Sequence, residues 1–248
     1  MSTAGKDKKW AAPTNLCLNL PPANGREMTV ADLVLLPARP GDVVKQEVKK
    51  RQITIYRTDT PPVIDGYGTD KCWADAPVAT DFYKLGGTAV SESKTQVKLC
   101  YDSENLYVFF NNVEPLEALA APKERDAPIW SSDHVELFLD PVRDGANWFQ
   151  LLVDTGGTIE DVRYTGAGRS ADWNGDFQVK TALNWKASWT AEYKVPFRIL
   201  EKSPKDGDTW GLNFGRMDVS GEWSNWGTGG AFLDPAGFGE VVFGRSRK

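Results

Sequence analysis

The amino-acid sequence predicts an all-β chain folded as an antiparallel β-sandwich, with only short helical turns. Three observations predict it. Short apolar or alternating runs recur from residue 61 to the end, and period-two alternation is the mark of a half-buried strand. Gly, Asn, Asp and Pro separate these runs at regular spacing, which is the turn chemistry of short strands joined into a sandwich. Helical pattern is scarce: "EPLEALAAP" and "PFRILEKSP" offer about one or two turns each.

Taken in order, residues 1–60 read differently from the rest. "NLCLNLPPANGREMTVADLVLLP" holds two apolar runs broken by Pro21-Pro22 and Asn24-Gly25. It is expected to be an N-terminal β arm, or the remnant of a preceding β domain plus linker, too short to fold alone. "RPGDVVKQEVKKRQITIYR" is part linker and part strand. "DTPPVIDG" is stiff, because two prolines restrict the chain, and the main sandwich is placed at 61–248. "TQVKLCYDSENLYVFFNNV" is a hairpin around "DSEN", where Asn105 suits a left-handed conformation. "DHVELFLD" is a strand with Val135, Leu137 and Leu139 on one face and His134, Glu136, Phe138 and Asp140 on the other. "NWFQLLVD" follows and is closed by Gly156-Gly157, with "TIEDVRY" returning. "FQVKTALNWKASWTAEYKVPF" is a second hairpin that turns near Asn184 to Ala187. "DTWGLNFGRMDV" and "FGEVVF" complete the set. Trp73, Trp189 and Trp210 stand at strand starts among apolar residues and are expected in the core.

The chain has 248 residues, 41% of them apolar, and a mean hydropathy of −0.42. That is enough to bury a core. Net charge is −5. The first sixty residues are net basic and the remainder is acidic, which argues against nucleic acid as a partner. No apolar run approaches the ~20 residues that span a bilayer. "MSTAGKDKKW" lacks the apolar stretch of a secretory signal, which leaves a cytosolic protein and a piece of a longer secreted chain both open.

Most enzymatic chemistries are missing. His134 is the only histidine, no G-x-S-x-G is present, and no His/Cys spacing suits zinc. The loops "GTGG" and "GAG" lack a following helix and do not suit phosphate. Cys17, Cys72 and Cys100 have no C-x-x-C spacing. A Cys72–Cys100 bridge and buried free thiols both remain open. No enzymatic role is expected.

What is present is aromatic. The chain carries ten Trp, seven Tyr and eleven Phe. Trp130, Trp173, Trp223 and Trp226 lie in loops or at strand ends among Ser, Asn, Asp and Gly. An indole held there suits stacking on the apolar face of a sugar ring and offers an N–H donor. Sugar hydroxyls need carboxylates, amides and guanidiniums, and Glu136, Gln150 and Arg216 supply those groups near the loop aromatics.

"VIDGYGTDKCWADA", "VKLCYDSENLYVFF", "IWSSDHVELFLD", "WTAEYKVPF", "GLNFGRMD" and "FLDPAGFGEVVF" follow one another in order. This ordered set resembles the family 9 carbohydrate-binding modules, within the wider group of DOMON-like, jelly-roll or immunoglobulin-like sandwiches. It covers roughly Pro61 to Gly244. The resemblance implies a non-catalytic module that grips the end of an oligo- or polysaccharide between two aromatic rings. Trp130 is the implied first ring, with Trp226 a further loop indole. Phe232 stands where the second ring is expected, a departure from Trp. Glu136 matches the family's sugar-binding glutamate. Gln150 replaces an arginine with a neutral group. Gly215 replaces a glutamine, for which Arg216 is the nearest substitute, although alternation puts it on the other face. The resemblance further implies no required cofactor, an extracellular or envelope location, and other domains on a longer parent chain. A structural calcium would use oxygen-rich loops around Asp65, Asp133 and Asp144.

Two rival readings stand beside it. One is a docking or structural domain with a degenerate site. The other is a haem-binding DOMON-like electron carrier, for which His134 and Met217 are the suggestive axial pair.

Overall fold

The computed structural model describes residues 50–245, except 88, 115–119, 121–122, 185–186 and 229. The N-terminal arm, Cys17 and most of "EPLEALAAP" lie outside the described residues. Within them the strands run in the order β1 (Gln52–Tyr56), β2 (Val78–Ala79), β3 (Tyr83–Lys84), β4 (Thr95–Tyr101), β5 (Asn105–Val113), β6 (His134–Asp140), β7 (Trp148–Asp154), β8 (Ile159–Thr165), β9 (Gly168–Ser170), β10 (Gln178–Asn184), β11 (Ser188–Pro196), β12 (Thr209–Met217), β13 (Trp223–Asn225) and β14 (Gly239–Gly244). One helical turn, α1 (Lys71–Ala74), precedes β2. Phe197–Leu200 forms a 3-10 turn within the expected "PFRILEKSP" segment.

Two sheets face each other. The first runs β1-β14-β12-β6-β7-β8-β9, with β13 on β12 and β3 on β13. The second runs β10-β11-β5-β4-β2. Every named pairing is antiparallel except one: β1 lies parallel to β14, from Gln52 opposite Glu240 to Tyr56 opposite Gly244. The antiparallel sandwich is as expected, and this one parallel pair brings into it residues on the amino side of 61. The proline segment leads away from β1 but does not separate it from the sandwich.

The core lies between the sheets. Val135, Leu137 and Leu139 of β6 point inward beside Leu151 and Val153 of β7 and Leu212 and Phe214 of β12. They meet Val97, Leu99, Val108, Phe110 and Tyr193 of the second sheet. Each such apolar side chain, fully withdrawn from water, contributes roughly 1.5–3 kcal/mol before its entropy cost. Trp189 and Trp210 belong to this core, as expected. Trp73 is buried elsewhere, on the outer side of the second sheet with Cys100, Tyr107 and Phe109, and its indole N–H donates to Glu192 Oε1 at 2.7 Å.

The turns follow local chemistry. Gly157 closes β7–β8 at φ +82°, a backbone region that costs a side-chain-bearing residue. Between β4 and β5, Asp102 Oδ1 accepts the backbone N–H groups of Glu104 and Asn105 at 2.7 Å each. This Asx-type turn removes the need for a left-handed Asn105, which is already the first residue of β5 and has no positive φ. The short strands β2, β3, β9 and β13 went unseen in the sequence, because two or three residues carry no period to read.

Candidate functional site

The outer face of the first sheet carries the site. Alternation sends His134, Glu136, Phe138 and Asp140 of β6 to that face. Cross-strand register sets Glu136 beside Gly215 on β12 and Leu152 on β7. Yet all seven residues of β6 are buried, because a layer of loop aromatics covers its outer side. Phe138, Trp148, Phe232 and Phe238 form a cluster there, with Tyr164 and Trp223 packed against it.

Between these rings opens a pocket of about 440 Å3, whose lining includes Trp130, Trp223, Phe232, Glu136, Gln150, Tyr164 and Arg169, with Leu85 and Leu233 at the rim. That size suits a small ligand, for which sites of roughly 300–1,000 Å3 are usual. A larger groove of about 570 Å3 lies at Glu104, Lys194 and Arg198. It contains mixed charge and no indole, so the smaller pocket is the better candidate. Its mainly aromatic wall with a few converging polar groups is the composition of a binding site.

The polar groups form one chain. Glu136 Oε2 accepts from Gln150 Nε2 at 2.6 Å, and Gln150 Oε1 accepts from the Tyr164 hydroxyl at 3.1 Å. Tyr164 is stacked on Trp148, with ring centroids 3.6 Å apart. Arg169 on β9 reaches Glu160 at 3.5 Å. Burial pushes the Glu160 carboxyl above its ordinary range, and Arg169 works against that shift. Burial also raises the Tyr164 hydroxyl, again opposed by Arg169. On the other side of Glu136, His134 Nε2 lies 3.4 Å from Oε1. The rings of Trp130 and Trp223 both meet the His134 imidazole edge-on, at centroid distances of 6.0 and 5.3 Å.

The structure therefore brings Trp130, Glu136, Gln150 and Phe232 together and separates Arg216 and Trp226 from them. Trp130 is 42% exposed, a large apolar ring left in water at the pocket mouth. Phe232 does line the pocket, but it is only 7% exposed and lies between Phe138 and Trp223. It is a wall, and Trp223 is the other indole at the opening. Trp226 turns inward and packs on Phe214 at 5.5 Å in the main core. Trp173 likewise packs at the core edge, against Phe149 at 5.2 Å.

Arg216 is fully buried on the inner face. It pairs with Glu114 at 3.0 Å and Asp133 at 3.2 Å and donates to the Val113 carbonyl at 3.1 Å. The reason is period two: Gly215 is opposite Glu136, so the next residue points the other way. One cation thus serves two buried carboxylates. Burial is the largest influence on Asp133 and lifts its pKa to about 7, with Arg216 pulling it back.

Sequence reasoning missed Tyr164 and Arg169, and it named Trp223 without placing it. Arg169 stands in a three-residue strand of Gly, Arg and Ser that no pattern marks. It places a cation in the lining of the pocket that also contains the neutral Gln150.

The rival chemistries meet specific obstacles. Asp133 is committed to Arg216. Asp144 accepts from Ala146, Asn147 and the Asn147 amide in its own loop. Asp65 accepts from the Tyr67 N–H. These three do not converge, and among the described residues no group of three or more His, Cys, Asp or Glu is placed to hold a metal. They do not fit a calcium ion. His134 and Met217 are cross-strand neighbours, but His134 Nδ1 is on the Ser132 carbonyl at 2.8 Å and Nε2 faces Glu136. Neither nitrogen is directed at open space where an iron would sit. No helix among the described residues is long and apolar enough to cross a membrane.

Comparison with known proteins agrees with this fold. The family described as "Carbohydrate family 9 binding domain-like" matches residues 64–245. A family 9 carbohydrate-binding module from Caldicellulosiruptor kristjanssonii, solved in complex with glucose, has 22% identity and a TM-score of 0.59, over 80% of this chain and 98% of that one. The same organism's module in complex with cellotriose has 21% identity and a TM-score of 0.57, over 80% and 95%. A putative carbohydrate-binding protein from Bacteroides uniformis has 14% identity and a TM-score of 0.63, over 78% and 99%. At these identities the three structures speak to the fold. No curated protein matches the chain.

Proposed function

Because the chain belongs to the carbohydrate family 9 binding domain-like family, we propose that it is a non-catalytic module that binds a sugar ring or chain end in the Trp130–Trp223 pocket. One observation carries the reading: an exposed indole, Trp130, stands at the mouth of a pocket that also contains the buried carboxylate of Glu136. The pyranose ring stacks on Trp130, with Trp223 and Phe232 forming the facing wall. Glu136 accepts sugar hydroxyls, Gln150 and Tyr164 hold Glu136 in place, and Arg169 donates from the rim. Glucose and cellotriose, the ligands of two structural neighbours, are the first sugars to try. The natural ligand is a longer oligo- or polysaccharide. The module serves an extracellular or envelope protein with further domains, and no cofactor takes part.

Titrating tryptophan fluorescence with glucose, cellotriose and borohydride-reduced cellotriose tests this. Saturation at roughly millimolar to micromolar concentration is expected, with the reduced sugar binding less. Silence across a broad panel of sugars would favour a docking domain instead.

A further inference from the structure

We propose that His134 is a positioning residue for Glu136, and that the proton shared between them makes sugar binding fall as pH rises. This rests on the sugar-binding reading above and deepens it.

The argument begins at Ser132. Its carbonyl oxygen lies 2.8 Å from His134 Nδ1. A carbonyl only accepts, so Nδ1 carries a hydrogen in every protonation state the ring adopts here. Nε2 is then the nitrogen that titrates. It faces Glu136 Oε1 at 3.4 Å, and both atoms are buried with no hydrogen-bond partner of good geometry. With a proton on Nε2 the contact is an ion pair. Without it, a lone pair faces a carboxylate oxygen away from water, which is repulsive and unrelieved by solvent.

The surroundings favour the proton. Glu136 lies on the same strand. Asp154 stands opposite on β7, with Oδ1 bound to the Gly156 and Thr158 N–H groups and Oδ2 unpartnered. Glu160 on β8 follows beyond Leu152. Asp133 precedes His134 and is turned to the inner face. The nearby cations are spent elsewhere: Arg169 on Glu160, and Arg216 on Glu114 and Asp133. Met217 of β12 stands opposite His134, and the Trp223 and Trp130 rings meet the imidazole edge-on; none of the three carries a charge. Burial disfavours the charged ring, but Glu136 and the Ser132 carbonyl outweigh it, and the proton is held above the ordinary histidine range.

The consequence reaches the ligand through Glu136. His134 fixes Oε1 and Gln150 fixes Oε2, which together aim the carboxylate at the pocket. Once the proton leaves, Oε1 is repelled from its position and the acceptor geometry is lost. Affinity is therefore highest below the His134 pKa and declines as pH rises through it.

The chain has one histidine, so its imidazole nitrogen signals are unambiguous by NMR in the full-length protein. Without sugar, His134 should titrate above about 6.5 and adopt the Nδ1–H tautomer when neutral. Titration at or below that value, or the Nε2–H tautomer, overturns the proposal. With cellotriose, wild-type affinity should drop roughly tenfold across that titration. His134→Gln offers Glu136 a neutral N–H that does not titrate, and its binding should be flat over the same range. A flat wild-type profile, or a variant that follows the wild-type curve, overturns it as well. If no sugar binds at any pH, the function is wrong, while the NMR titration still decides whether the pair holds its proton.

Discussion

Gly215 lies under the ring of Phe232, and a Cβ built on that glycine would stand 2.9 Å from Phe232 Cε2 and 3.3 Å from the Glu136 Cβ. The missing side chain lets the phenyl ring settle onto the sheet and form the pocket wall. Gly215→Ala should lift that ring, cost about 1–3 kcal/mol through overpacking, and weaken sugar binding. Urea unfolding alongside a cellotriose titration checks both effects.

Trp130→Ala should leave the fold intact and remove binding. The ring is exposed at the pocket mouth, so its loss should change stability by no more than about 1 kcal/mol. Affinity should fall at least about tenfold, equivalent to ~1.4 kcal/mol. Calorimetric titration and thermal unfolding separate the two quantities. A variant that binds as well as the parent would place the site elsewhere.

Two arginines near the site should behave in opposite ways. Arg216→Met removes the cation that faces Glu114 and Asp133 in the interior, and breaking such a buried pair costs about 3–5 kcal/mol. The protein that remains folded should keep its sugar affinity. Arg169→Gln sits at the rim, where its ion pair contributes only ~0–1 kcal/mol, and should reduce affinity instead. Unfolding curves and binding isotherms of both variants decide the matter.

Stability itself should depend on pH. Asp133 binds its proton up to about pH 7 in the folded state, against roughly 3.9 in an unfolded chain. A raised carboxyl contributes stability that is complete below the unfolded value and is lost as pH rises through the folded one. His134, also raised, acts in the same direction. Melting temperature should therefore fall as pH rises from about 4 to about 7, and Asp133→Asn should flatten part of the decline. Thermal scans across that range are the check.

Cys72 and Cys100 are free thiols that share a hydrogen bond, which lowers the Cys72 pKa. Treatment with oxidised glutathione should join them, with two reduced glutathione molecules released per bridge formed. Peptide mapping by mass spectrometry should find the linked pair, and its absence would leave both as free thiols, Cys100 buried and Cys72 partly exposed.

Much of the architecture was legible because long strands declare themselves. The alternation of "HVELFLD" separated the core face from the outer face, and the same period warned that Arg216 would point away from Gly215. The candidate site was legible where a side chain's chemistry was odd for its place, as with Trp130 before a strand or Glu136 within one. It was illegible where position depended on distant chain. Arg169 enters through a strand too short for a pattern, and Trp226 and Trp223 share a neighbourhood in sequence yet part ways in space. Nor does composition reveal that β1 crosses the proline segment's apparent boundary to pair with β14, since nothing local encodes a partner so far along the chain.

That parallel pairing has a mechanical meaning. The chain enters β1 at Gln52 and leaves β14 at Gly244, at opposite ends of a five-rung ladder. Tension between the two flanks loads the rungs together in shear rather than peeling them singly. The first strand thereby acts as a clasp on the last, and resistance to force along the chain resides there, away from the candidate pocket.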